Sequence, residues 1–101
     1  METADVRDFA EEVDRVLAAP APDPGVLERL FDDATTVVNA LHGETTRLHR
    51  EIDQAIDSGE SALDDLTRAL RDCYRDLDVL RPRVRAITVV LDGLRTRKPS
   101  P

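Results

Sequence analysis

Two long series of apolar residues, spaced alternately three and four apart, dominate this chain. Such spacing is typical of a coiled-coil seam, because residues three and four apart share one face of a helix. The first series contains Leu27, Phe31, Ala34, Val38, Leu41, Thr45, Leu48, Ile52 and Ala55. The second contains Leu63, Leu66, Leu70, Cys73, Leu77, Leu80, Val84, Ile87, Leu91 and Leu94. The pattern predicts two long helices that pack through these seam residues.

Gly59 lies between the two series and is a natural residue for the left-handed end of a helix. If the chain folds back there, Ala55 faces Leu63 and Leu27 faces Leu91. The two residue numbers of every facing pair then add up to 118, so one register continues along the whole pair. The sequence therefore predicts a long antiparallel helical hairpin.

A short amphipathic stretch precedes the hairpin and predicts a first helix. The prolines of residues 19–23 separate it from the second helix. We expect an all-α, coiled-coil-like antiparallel hairpin whose short N-terminal helix packs at the open end, forming a three-helix bundle. The predicted helices span about 4–18, 24–57 and 60–96, with a kink near Pro82, in one domain over 1–98 and a disordered tail over 99–101.

The heptad positions beside the seam predict where the first helix packs. We label the heptad positions a to g, with Leu27 at d and Leu63 at a. In an antiparallel pair the g positions of both long helices lie on one side, which we call the g flank. Near the open end this flank is apolar, with Leu30, Val37 and Val90. We expect the first helix to lie there, beside 25–40 and 83–96, and to leave residues 41–77 as a two-helix stalk.

The opposite side, the e flank, holds the first candidate binding residues. In the stalk it carries His42, His49, Ile56, Thr67 and Tyr74, with His42 expected opposite Tyr74. One interpretation is a partner-binding patch that responds to pH, because histidine titrates near neutrality. The other is that these residues simply cover the seam. Two histidines seven residues apart lack the third ligand of a metal site, so no metal or other cofactor is expected.

Towards the turn, the g flank carries Glu44, Glu51 and Asp76. These acidic residues either receive a basic partner or a divalent cation, or form a solvated face that keeps the first helix from sliding. Cys73 occupies a seam position, where a buried and inert thiol is expected.

Composition narrows the function. The 101 residues carry a net charge of −7, which disfavours binding to nucleic acid or anionic membranes. We recognise neither a membrane span nor a Sec signal, so the expected location is cytoplasmic. Of 14 basic residues only Lys98 is lysine, a bias common in GC-rich bacterial genomes.

The sequence contains no recognisable catalytic motif, so we expect no enzymatic activity. The small all-helical chorismate mutases are similar in size, but their sites need basic side chains inside the bundle. No Arg or Lys occupies a seam position here.

The segments Leu41-His42-Gly43 and Tyr74-Arg75-Asp76-Leu77-Asp78 resemble two motifs of the WXG100 (ESAT-6-like) proteins of type VII secretion. In those proteins Trp-X-Gly marks a central turn, and Tyr-x-x-x-Asp/Glu follows the hairpin. Here the Trp is absent and the Tyr motif lies within a predicted helix. The resemblance implies a helical hairpin exported without a signal peptide, with Tyr74 and Asp78 in the export signal.

Taken together, these features predict a non-enzymatic protein–protein interaction or oligomerisation module. The expected partner is a second copy or another helical protein, bound along the 41–77 stalk.

Overall fold

A computed structural model describes residues 3–59 and 62–96. These residues form three helices, which are α1 (Thr3–Leu17), α2 (Pro24–Ser58) and α3 (Leu63–Thr96). The two long helices pack together as a hairpin, and α1 packs on it. The prediction of an all-α hairpin with a short N-terminal helix is confirmed. The predicted disordered tail, 99–101, lies outside the described residues.

Local chemistry defines both ends of α2. The Asp23 carboxylate caps the start, accepting a hydrogen bond of 2.9 Å from the Gly25 amide, and Pro24 follows at the first helical position. At the other end Gly59 adopts φ 70°, and its amide donates to the Ala55 carbonyl. α2 continues through Gly43, as the unbroken seam predicted.

α3 begins at Leu63, later than the predicted residue 60. Its first helical hydrogen bond runs from the Leu66 amide to the Ala62 carbonyl, at 3.1 Å. The helix continues through Pro82 without a break. The kink predicted near this proline stays a prediction. Just upstream of this proline, the Val79 carbonyl accepts a hydrogen bond of 2.7 Å from Arg83 Nη1.

The predicted seam holds the two long helices together. Every one of its residues is buried or half-buried, and Leu27, Leu77, Leu80 and Ile87 have no exposed surface. Burial of a leucine or isoleucine side chain contributes about 1.5–3 kcal/mol, so this seam is the main source of stability. The burial of these positions on both helices is what the register deduced from the sequence requires.

α1 buries Val6, Ala10 and Val13 against the hairpin. Val13 packs in one cluster with Leu27 and Leu30 of α2 and with Ile87 and Leu91 of α3. The prediction that α1 covers the apolar end of the g flank is confirmed by this cluster.

The exact position of α1 differs from the prediction. It runs parallel to α3, as a helix joined to α2 by a short linker was expected to, but it packs chiefly on α3. Arg83 donates to the Ala10 carbonyl (3.3 Å) and to Asp14 (2.8 and 3.1 Å). Because Arg83 contacts α1 near its middle, at Ala10, the N-terminal half of α1 extends past Arg83 towards Asp76. The long Arg83 side chain explains the difference, because it binds α1 through polar contacts that a count of apolar positions cannot include.

The resulting molecule is long and thin, measuring 66 × 24 × 15 Å. α1 has 15 residues, against 35 in α2 and 34 in α3, so it covers only part of the hairpin. None of the helices in the described residues has the length and apolar character needed to cross a membrane.

Candidate functional site on the e flank

The e flank lies on the surface because α1 occupies the opposite side of the hairpin. His42, His49, Ile56 and Tyr74 are all exposed, and Ile56 and Tyr74 leave 61% and 43% of their surface accessible. Contiguous exposed apolar surface of this kind can contribute to a contact surface. The structure thus places these four candidate residues together on one accessible side.

The contacts across this flank differ from the predicted ones. Tyr74 lies against His49, with 2.8 Å between Tyr74 Oη and His49 Nε2 and ring centroids 6.2 Å apart. His42 instead contacts Arg81, with 3.1 Å between His42 Nε2 and Arg81 Nη2. The expectation that His42 lies opposite Tyr74 was therefore wrong.

Side-chain direction explains the correction. Helical side chains lean towards the N-terminus of their own helix, so facing partners in antiparallel helices each come from further along the chain. Both observed contacts join residue numbers that add up to 123, whereas the predicted seam pairs add up to 118. The same rule defines five e-flank layers, namely Glu28/Arg95, Thr35/Thr88, His42/Arg81, His49/Tyr74 and Ile56/Thr67.

Arg81 was missing from the sequence-based set of candidates, although its e position could have identified it. Its guanidinium can only donate, so His42 Nε2 accepts and the ring proton of neutral His42 lies on Nδ1.

Two shallow grooves lie on the open half of the e flank, next to the small Thr35/Thr88 layer. One, of about 340 Å³, is formed by seam residues Phe31 and Leu91 with Glu28, Asp32, Thr88, Asp92 and Arg95. The other, of about 270 Å³, is formed by Val38 and Val84 with Thr35, Arg81 and Arg85. Because threonine is short, the half-buried Phe31, Val38 and Val84 are left incompletely covered here.

Charge is distributed unevenly across the e flank and its outer b positions. On the α2 side the charged residues are Glu28, Asp32 and Asp53, all acidic. On the α3 side they are Arg71, Arg81, Arg85 and Arg95, together with Asp64, Asp78 and Asp92. The flank therefore has an acidic half and a half in which arginine predominates.

The three acidic candidates of the g flank have different environments. Arg47 lies between Glu44 and Glu51, contacting Glu44 and binding Glu51 at 2.6 Å. Its hydrogen bond lowers the pKa of Glu44 below the ordinary value. Asp76 is only 5% exposed, and burial raises its pKa. The prediction of a solvated acidic face was therefore wrong for Asp76. It also overlooked Arg47, which lies three residues after Glu44 and four before Glu51, a spacing from which both ion pairs could have been predicted.

Cys73 is buried in the seam, as its position predicted. Burial raises the pKa of the thiol, and the nearby carboxylates of Glu44, Asp76 and Asp72 raise it further. A thiol in this environment remains protonated and is a poor nucleophile. Among the described residues, no group of three metal-ligating side chains comes together.

Comparisons with protein-family models, curated proteins and solved structures find no match to this chain.

Proposed function

We propose that this chain is a non-enzymatic helical interaction module that associates with a second copy of itself, or docks another helical protein, in the cytoplasm. The observation that carries the proposal is the one-sided covering of the hairpin. α1 covers the open-end part of the g flank, while the e flank keeps Ile56 and Tyr74 exposed along a stalk only two helices thick. Narrow helical pairs of this kind gain stability from further helix packing.

The solution mass of the full chain tests self-association. At about 100 µM, sedimentation equilibrium should give at least twice the monomer mass of 11.3 kDa. The apparent mass should fall on dilution, because association follows mass action. A strictly monomeric protein over this range would refute self-association and leave only docking to a different protein.

Export by type VII secretion is the second candidate function. One feature favours it, namely that Tyr74 and Asp78 are both exposed one helical turn apart on α3. If these residues form an export signal, Tyr74→Ala should abolish appearance of the protein in culture medium, and Val89→Ala, at an exposed position of the same helix, should leave it unchanged. Undiminished export of Tyr74→Ala would exclude this signal.

A further inference from the structure

We propose that a second copy of this chain docks in parallel on the e flank, about a two-fold axis that runs along the hairpin, so that the acidic α2 side of each copy lies on the arginine-rich α3 side of the other. This inference rests on the proposed self-association and specifies its surface and orientation. It also extends the contact beyond the stalk to the grooves of the open half.

The area of the flank is sufficient for a stable dimer. Glu28 and Ile56 mark its ends, and a helix rise of 1.5 Å per residue separates them by about 42 Å. Two helices side by side are about 20 Å wide, in agreement with the 24 Å extent of the molecule. The strip therefore covers about 800 Å², the area that each partner contributes to a standard protein interface.

The distribution of charge determines the orientation. A two-fold axis along the helices places α2 on the partner's α3 at the same level. In the register of the observed e-flank contacts, Glu28 then meets Arg95 and Asp53 meets Arg71, against one approach of like charges, Asp32 to Asp92, which line the same groove. An antiparallel dimer would instead place α2 on α2 and α3 on α3. Asp32 would then approach Asp53, and Arg85 would approach Arg71. Opposite charges across an interface favour a register, whereas like charges oppose it.

The uncharged layers fit the same arrangement. Within one chain, Tyr74 lies opposite His49 and Ile56 is in the same layer as Thr67. In the parallel dimer, each large side chain therefore meets a smaller or a polar side chain of the partner. At the open end the short Thr35 and Thr88 allow close approach, which covers the exposed parts of Phe31, Val38 and Val84 in the two grooves. Within the described residues, Asp53 and Arg71 form no ion pair in the single chain, so both charges are available to a partner.

A charge-swap experiment tests surface and orientation together. The dimer dissociation constant of the full chain is measured by sedimentation for Asp53→Arg, Arg71→Glu and the double variant. Each single reversal should raise the constant about tenfold, and the double variant should return to within about threefold of the wild-type value. Asp33→Arg and Arg29→Glu make the same charge changes at exposed positions of α2 outside the e flank and should have little effect.

The possible outcomes separate this inference from the proposed function. If Asp53→Arg tightens association, the dimer is antiparallel and the inference is overturned. If the wild type associates but none of the e-flank variants changes its constant, the interface lies elsewhere, and self-association stands without this surface. A wild-type protein that stays monomeric overturns both. Since Asp53 and Arg71 are exposed, folding of each variant is expected and is verified by circular dichroism.

Discussion

At the scale of the residue, Asp76 is the most unusual group in the molecule. It is a carboxylate on the flank that α1 covers, and it is buried to 5% exposure two turns before Arg83. Burial raises its pKa because the ionised form loses water. Above that raised pKa, the charge of Asp76 opposes folding, whereas the protonated form at lower pH does not.

Replacing this carboxylate with a neutral isostere should therefore stabilise the protein. We expect Asp76→Asn to raise the free energy of unfolding by roughly 1 kcal/mol at pH 7. The gain should shrink as the pH falls from above the raised pKa towards the ordinary pKa of aspartate, because wild-type Asp76 then becomes neutral as well. Urea denaturation at several pH values measures this trend.

Asp78→Asn provides the matched control for this prediction, since Asp78 is exposed on the same helix. Its effect should be small at every pH. A destabilised Asp76→Asn at pH 7 would mean that the charge of Asp76 has a favourable partner in the folded protein.

At the scale of the element, the contact between α1 and α3 combines apolar and polar parts. Val13 enters the apolar cluster, while Arg83 binds the Ala10 carbonyl and forms a two-point contact with Asp14. A paired geometry of this kind fixes the position of one helix along another more sharply than apolar packing does. Arg83 therefore sets where α1 lies along α3.

A double-mutant cycle tests this role. Arg83→Met keeps the aliphatic stem, Asp14→Asn removes the partner charge, and both should destabilise the protein. The coupling between them should be about 0.5–1 kcal/mol, because the pair is partly exposed. Chemical denaturation measures each free energy of unfolding. The Arg75/Asp72 pair within α3 is the control, and strictly additive effects of Arg83 and Asp14 would show that the contact does not hold α1.

At the scale of the whole molecule, α1 keeps the open end of the hairpin from exposing its core. Leu30 and Leu91 become accessible if α1 detaches, since Val13 covers them in the same cluster. Val13→Asp places a charge at a fully buried position and should release α1. We expect concentration-dependent aggregation with loss of stability, measured by light scattering and thermal melting. Ala18→Asp, at an exposed position just after α1, should remain well behaved, and an unaggregated, equally stable Val13→Asp would contradict this packing.

The seam of the hairpin was predictable from the sequence, whereas several features of individual side chains were not. The seam was predictable because one register, repeated over the full length of the pair, determines which residues face each other. Three features were not predicted correctly, namely the exact position of α1 along α3, the burial of Asp76 and the His49–Tyr74 contact. Each depends on the reach or lean of individual side chains, such as Arg83 and Tyr74, and heptad labels do not contain that information.

The turn at Gly59 has a consequence for how this molecule tolerates insertions and deletions. Because every facing pair adds up to the same number, adding seven residues to both helices would lengthen the hairpin and leave all other pairs in register. Adding seven to one helix alone would displace every pair between the insertion and the open end. Changes in length are therefore expected to occur in matched steps on the two sides of Gly59, with the turn itself kept intact.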